Sequence, residues 1–432
     1  MQVKMMTDSI DVAIAGGGLA GFLTAAKIKE LHPEYQVAIF EKQSSPGGRL
    51  TQVDEAKETW SFGLNTISRP LFEFWNQSLK FSPDSPDLDQ FSIGRQSQIG
   101  SMSGSDLGVM PIEGFFAPKG ARLIGGLTAS REWAAVEEIL KTVAADPETS
   151  ESSISSVWKL NRKGPAAIVI EQMAHAFGIP DIWSCSVRAL IERSRYHTSQ
   201  LISGKWQQAL LKMSEVLSGA GGFQLHLNSM VGSAKQVDGL WHLHTGAGNI
   251  TAKALVVAQP VWDAINWLPQ DYWPAQVLSV ALKSKPVSVV SISDRMVTKL
   301  DLPQVIIVPA EDTQIVISPD KGEIVFQSTL DYELSLQAPE CVKAVKRVKR
   351  ARKKFQNAVK EVELFGEHIA LSPVGWAQST TASDRRHFER LGKQNFCEKN
   401  LGFCGDNYGS SYDGDDNLMK SVLSVCANLA IS

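Results

Sequence analysis

The feature that most constrains this chain is a strand–turn–helix–strand unit at its start. Ile10-Asp11-Val12-Ala13-Ile14-Ala15 is a nearly continuous apolar run, the pattern of a parallel strand covered on both faces. Gly16-Gly17-Gly18-Leu19-Ala20-Gly21 follows at once and matches G-x-G-x-x-G. The spacing predicts a helix over Leu19 to Leu31, with Leu19, Phe22, Leu23 and Ala26 on one face and Pro33 just past its end. A second strand, Gln36 to Phe40, ends at Glu41 and Lys42. Each part has a physical job in holding a dinucleotide. Gly16 permits the tight turn, and Gly18 lets backbone approach a pyrophosphate at the positive end of the helix that Leu19 and Ala20 open. Gly21 lets helix and strand pack closely, and Glu41 accepts the ribose hydroxyls. A glycine-rich turn without a ligand would need no acidic residue in register after a second strand. The unit alone does not separate FAD from NAD.

The next residues narrow the choice. Ser45-Pro46-Gly47-Gly48-Arg49-Leu50 stands a few positions after Glu41. Here the chain resembles the flavin amine oxidase superfamily, in which an acidic strand end is followed by a G-G-R signature. The resemblance implies that Gly47 and Gly48 let the chain pass close to FAD and that Arg49 reaches its diphosphate, a role suited to a guanidinium fork. It continues through Trp60-Ser61-Phe62-Gly63-Leu64-Asn65-Thr66-Ile67-Ser68, which is similar to the stretch beneath the flavin ring in renalase-like members. Those members carry an acidic residue near the position of Ser61, so this chain departs from them there.

Two later segments extend the likeness. Phe223 to Leu227, Trp241 to Thr245 and Ala254 to Ala258 read as strands, the last closing on Gln259-Pro260. The family returns to its FAD domain in this way, and Val231 matches the valine whose backbone meets the adenine. His242 and His244 alternate onto one strand face, but no third ligand is near and a solvated face is the preferred reading. Gly246-Ala247-Gly248 reads as a hairpin turn, so no second nucleotide-binding fold is expected. At the far end, Leu401-Gly402-Phe403-Cys404-Gly405-Asp406 is a short strand ending in Gly-Asp, followed by a helix from about Asp416 to Ile431. In the resembled family the acidic residue, here Asp406, bonds the ribityl or diphosphate region. The implied fold is α/β: a GR2-type Rossmann-like FAD domain, parallel sheet plus β-meander, interleaved with an α+β substrate domain. Residues 1–69, 215–268 and 370–432 fall to the FAD domain, and 70–214 with 269–369 to the substrate domain.

Composition excludes several classes. A net charge of -3 gives no argument for nucleic acid. No apolar run approaches the roughly 18 to 20 residues that span a bilayer, so stable membrane insertion is not expected. Met1 to Asp8 lacks a signal-peptide pattern. The five cysteines (Cys185, Cys341, Cys397, Cys404, Cys426) are scattered and never spaced C-x-x-C. That suits reduced thiols in a cytoplasmic protein and argues against a zinc site. A dense basic run, Lys343 to Lys354, shares a helical pattern with Cys341, Val345, Val348 and Phe355. Such a helix can dock on an acidic protein or a membrane surface; a solvated outer face is the reading preferred.

The resemblance implies a non-covalently held FAD and a small-molecule substrate. The expected reaction is oxidation of a C–N bond in an amine, amino acid or dihydro-heterocycle, with hydride passing to flavin N5 and dioxygen as acceptor. A desaturase or cofactor-maturation enzyme, and a non-catalytic flavin-binding interaction protein, stand as alternatives. The catalytic residues are left open. Lys283 and Lys285 lie outside the usual setting of the family's lysine and read better as solvated. Trp376 either lines the cavity or packs in the core. Tyr408 and Tyr412 could approach the flavin from the last loop, while Cys404 reads as a buried thiol.

Overall fold

A computed structural model describes residues 9–50, 52–55, 58–61, 66–78, 91–95, 98–103, 106–111, 200–204, 206–273, 287–303, 305–318, 322–331, 335–371, 400–405, 408 and 414–429, with isolated positions between 128 and 188. The chain opens with β1 (Ser9–Ala15), α1 (Leu19–Leu31) and β2 (Val37–Phe40). A hairpin follows, β3 (Gln52–Glu55) and β4 (Glu58–Ser61), then β5 (Thr66–Ser68) and α2 (Arg69–Ser78). Next come β6 (Phe91–Arg95), β7 (Gln98–Ser103), β8 (Asp106–Pro111) and β9 (Gln200–Gly204). The chain then passes through α3 (Trp206–Gly219), β10 (Phe223–His226), β11 (Val231–Val237), β12 (Leu240–Thr245) and β13 (Gly248–Val257). The remaining elements are β14 (Val287–Val297), β15 (Val305–Val308), β16 (Thr313–Ser318), β17 (Glu323–Asp331), α4 (Pro339–Ala358), β18 (Glu363–Leu371), β19 (Leu401–Phe403) and α5 (Gly414–Ala427).

The first sheet runs β10-β2-β1-β13-β12-β11, with β19 also paired to β13. β10, β2, β1, β13 and β19 are mutually parallel, whereas β11, β12 and β13 form an antiparallel meander. β13 serves both patterns because it is long. Its first half pairs with β12 through Gly248–Ala252, and its last three residues, Leu255–Val257, pair with β19. One face of this sheet lies under α1, α3 and α5 in a core that includes Phe22, Leu23, Trp206, Leu210, Val422 and Val425. The other face is closed by Trp241, Trp267, Trp273 and Phe403. β1 is therefore covered on both sides, as its unbroken apolar run requires.

The helix after the glycines is buried more completely than a single apolar face implies. Thr24, Ala25 and Ile28 are buried as well as Phe22, Leu23 and Ala26. The reason is that α1 is enclosed between the sheet and the helices α3 and α5. The residues opposite the Leu19–Ala26 stripe are small or apolar, which permits it.

The second sheet runs β18-β14-β17-β16-β15-β7-β8. α4 packs on one face, where Val348, Ala351 and Phe355 meet Ile292, Ile306, Ile315 and Phe326. The basic run lies on this helix, and acidic residues of the sheet and its loops take up much of its charge. Arg352 makes two bonds to Asp294, at 2.7 and 2.8 Å. Arg350 and Lys354 both bond Glu311, at 2.7 and 2.6 Å. Burial alone would raise the Glu311 carboxyl, but the bonds and charges of Lys354 and Arg350 outweigh it and hold the group below its ordinary value. Lys349 reaches Glu367 at 2.5 Å. Toward the helix start the pairing is superficial, Lys343 to Glu340 with both side chains exposed. No helix among the described residues is long and apolar enough to cross a membrane.

Candidate functional site

Five chain segments converge at the carboxyl edge of the first sheet. Ala15 pairs with both Phe40 and Val257, so the ends of β1, β2 and β13 stand side by side. Phe403 pairs with Val257, and the Cys404 amide bonds the Val257 carbonyl, which brings Gly405 to the same edge. The fifth segment, after β10, crosses the end of β2. His226 accepts from the Glu41 amide, and the Ser229 amide donates to the Glu41 carbonyl at 2.7 Å. Val231 begins the next strand just beyond, fully buried. An open parallel sheet places its ligand crevice at this edge.

The glycines here have separable reasons. Gly16 has φ +115, and a Cβ on it would come within 2.7 Å of the Ala258 carbonyl oxygen. A Cβ on Gly21 would stand 2.1 Å from the Gly16 carbonyl oxygen, and one on Gly17 2.9 Å from the Glu41 Cβ. These three are required by packing. Gly18 is different: its φ of -81 and ψ of -178 suit any residue, and a Cβ there would meet nothing closer than Gly48 Cα at 3.9 Å. Gly18 is also the N-cap of α1 and supplies no side-chain cap. The first amides of the helix, at Leu19, Ala20 and Gly21, have no intrahelical acceptor in such a position. Space is thus kept open where a helix presents bare N–H groups and positive potential, and a diphosphate fits it.

The G-G-R segment closes over this space. Gly47 donates its amide to the Gly17 carbonyl at 2.9 Å and bridges to Gly18, while Gly47 and Gly48 adopt φ +137 and +57. Arg49 follows in a 3-10 turn, Gly48–Leu50, and is half-buried. Glu41 is buried; its Oε2 accepts from the Gly17 amide at 2.7 Å and its Oε1 from the Gln43 amide at 2.8 Å. Each oxygen keeps a further lone pair, so these bonds orient the carboxylate and leave it able to accept ribose hydroxyls. Lys42 forms an ion pair with Asp263 at 3.0 Å. His226 stacks on Phe40 with ring centroids 5.0 Å apart, and burial lowers its pKa.

Other residues named from the sequence are placed as follows. His242 and His244 are both exposed on β12, and no metal-binding group is found among the described residues. Tyr408 is buried; its hydroxyl donates to the Gln259 carbonyl at 2.9 Å and its ring packs on Phe403, so it ties the last segment to the end of β13. Sequence reasoning missed that latch, as well as Ser421, whose hydroxyl accepts from the Gly405 amide at 2.9 Å. Asp406, Lys283, Trp376 and Tyr412 lie outside the described residues. Cys404 is fully buried beside Thr24, with its Sγ 3.2 Å from the Thr24 hydroxyl. Burial pushes its thiol up to about 12 despite that bond, and burial raises Cys426 also. Iodoacetamide at pH 8 should therefore leave Cys341, Cys404 and Cys426 unmodified in the folded protein and alkylate them after unfolding. Mass spectrometry showing Cys404 labelled in the native state would contradict this burial.

Residues 14–78 match a family model described as an NAD(P)-binding Rossmann-like domain. No curated protein matches the chain. Several solved structures share its fold over nearly their whole length. Cyclohexylamine oxidase from Brevibacterium oxydans IH-35A is 12% identical with a TM-score of 0.67, covering 98% of this chain and 100% of its own. Putrescine oxidase bound to putrescine is 14% identical with a TM-score of 0.64, covering 98% and 100%. A protein of Exiguobacterium sp. 255-15, provisionally assigned as a protoporphyrinogen oxidase, is 14% identical with a TM-score of 0.66, covering 98% and 99%.

Proposed function

From a chain with the fold of the flavin amine oxidases, we propose an FAD-dependent oxidoreductase that holds its cofactor non-covalently. The observation that carries this reading is the open space above Gly18, bounded by the bare start of α1, the Gly47–Gly48 approach and the Glu41 carboxylate. FAD is preferred to a nicotinamide dinucleotide because the Gly48-Arg49 segment and the Gly405 end of β19 both meet this edge. In this reading residues 1–69, 215–268 and 370–432 bind the cofactor, and 70–214 with 269–369 form the substrate side.

When bound, FAD supplies the two-electron acceptor. The chain's own part is to hold and shield it. Gly18, Leu19 and Ala20 offer backbone N–H groups to the diphosphate, and Arg49 adds a charged clamp. Glu41, fixed by Gly17 and Gln43, accepts from the adenosine ribose, while Val231 and Asp406 complete the set. The substrate class is a compound with an oxidisable C–N bond, an amine, amino acid or dihydro-heterocycle, with dioxygen as acceptor. A desaturase or cofactor-maturation role is the second reading, favoured by the likeness to the Exiguobacterium protein.

The purified protein should be yellow, with about one FAD per chain released intact by acid precipitation. Arg49→Ala should weaken retention by roughly ten- to a hundredfold, since a charged hydrogen bond contributes about 1.5 to 3 kcal/mol. Colour that stays with the precipitate, or released FMN, would overturn the cofactor assignment. Anaerobic mixing with amines, amino acids, dihydropyridines and NADPH tests the reaction class; rapid bleaching by NADPH alone would replace the oxidase with a reductase.

A further inference from the structure

β19 is three residues long, and among the described strands it pairs with the end of β13 alone. So short a ladder does little to set the direction in which the chain leaves it, and Gly405, with φ +140, turns the chain at once. Side chains set that direction instead. Ser421 of α5 accepts from the Gly405 amide at 2.9 Å, and its hydroxyl lies 3.3 Å from the Gly405 carbonyl oxygen and 3.0 Å from that of Leu418. The Gly405 carbonyl also accepts from the Tyr408 amide at 3.1 Å. Gly405 and Tyr408 are therefore two fixed points, and Asp406 lies between them in the sequence.

Tyr408 is buried, and its ring packs on Phe403 with centroids 5.4 Å apart. Phenylalanine would fill that space as well. The hydroxyl adds a directional bond of 2.9 Å to the Gln259 carbonyl, and a buried hydroxyl so paired fixes where ring and chain sit. The acceptor belongs to the segment that closes on the first glycine turn. A Cβ on Gly16 would come within 2.7 Å of the Ala258 carbonyl oxygen and 3.0 Å of Gln259 Cγ. Gln259 is itself anchored, because its Oε1 accepts from the Trp267 indole N–H at 2.8 Å. Ala258 and Gln259 thus touch the turn that leads into α1 and, through Tyr408, the turn that follows β19. Gly16 follows β1 and Gly405 follows β19, with β13 between them, so the two turns stand about 10 Å apart at the usual strand spacing.

We infer that the Tyr408 hydroxyl is a positioning group for the flavin half of the cofactor. It acts through the backbone. The bond to Gln259 holds the chain after β19 in register with the Gly16 turn, so the place of the ribityl and ring end stays aligned with the place of the ADP end. The inference rests on the FAD reading above and adds to it the bond that joins the two halves of the site. Binding of the ADP half does not depend on that bond, because Gly17, Gly18 and Glu41 hold their geometry on the β1–β2 side.

Titration of the full chain, freed of cofactor, with FAD and with ADP tests the inference, ADP being measured directly and in competition with FAD. Tyr408→Phe should bind FAD about three- to tenfold more weakly, as loss of one hydrogen bond implies, while ADP stays within about twofold of the parent. The visible bands of its bound flavin should move toward those of free FAD. Its melting temperature without cofactor should fall by no more than about 3 °C. Tyr408→Leu, which also empties the space beside Phe403, should melt several degrees lower, since the ring fills and the hydroxyl aims. FAD affinity or flavin bands unchanged in Tyr408→Phe, or FAD and ADP weakened by the same factor, would overturn the inference and leave Tyr408 a packing residue. A parent chain that takes up no FAD ends the cofactor reading, and this inference with it. One that binds FAD and gives either of the other results keeps its cofactor and loses only the positioning role.

Discussion

Gly18→Ala should fold almost as well as the parent and lose its flavin, whereas Gly21→Ala should be crippled in folding itself. The two positions belong to one motif and stand three residues apart, but different atoms demand their glycines. At Gly18 the backbone conformation is an ordinary one and a methyl group meets nothing within 3.9 Å. Alanine there weakens the N-cap by about 1 kcal/mol or less. It also fills the space kept beside the helix amides, and a diphosphate pushed back from them loses charged hydrogen bonds. That corresponds to roughly ten- to a hundredfold weaker retention. At Gly21 the methyl would lie 2.1 Å from the Gly16 carbonyl oxygen, so α1 must move away from the turn after β1. Overpacking of this kind costs about 3 kcal/mol or more where backbone is the obstacle. Urea unfolding of both variants, followed by absorbance of the released cofactor, separates the two effects. A Gly18→Ala protein that stays fully yellow would remove the diphosphate from this helix end.

That contrast also shows what the sequence made legible. G-x-G-x-x-G, two apolar strands and Glu41 lie within a short stretch, so their assembly is local and its signals are periodic. β1, α1 and β2 fall where the pattern puts them. The strand at Trp241–Thr245 and the hairpin turn at Gly246-Ala247 are readable for the same reason, whereas the meander of β11 to β13 follows from the family resemblance and not from a local pattern. What the pattern could not reveal depends on register between distant strands. Ser101 and Gln327 come into one row only because β7 joins β15, β15 joins β16, and β16 joins β17. Each strand alternates, but no single strand announces that its polar residue faces another's. Tyr408 bonding Gln259 is hidden likewise, since a tyrosine in a Gly/Ser loop carries no sign of its acceptor. The distinction between Gly18 and Gly21 is three-dimensional too: the motif shows where glycines stand, and only packing shows which of them the fold itself needs.

The basic run gives the second large effect, and the register of α4 on its sheet determines where it falls. The sequence suggests a solvated outer face in preference to a docking surface. The structure divides that face, because Asp294 is wholly buried on β14 and Arg352 reaches it with two bonds, at 2.7 and 2.8 Å. Those bonds, ahead of the opposing effect of burial, raise the Arg352 pKa. Arg352→Met keeps much of the apolar stem but strands a carboxylate in the interior, and breaking a buried pair in this way costs about 3 to 5 kcal/mol. Lys343→Ala removes the same unit of charge from the same helix, yet its pair with Glu340 is exposed at both ends and should change stability by less than about 1 kcal/mol. Asp294→Leu/Arg352→Leu takes out both charges together and should recover most of the loss, since no uncompensated group is left behind. Urea midpoints for these variants measure the difference directly. FAD per folded chain should stay at the parent level throughout, because α4 packs on the second sheet and not on the edge where the cofactor segments meet. If Arg352→Met and Lys343→Ala were equally mild, the carboxylate of Asp294 would have another way to be satisfied, and the pair would not be what anchors this helix.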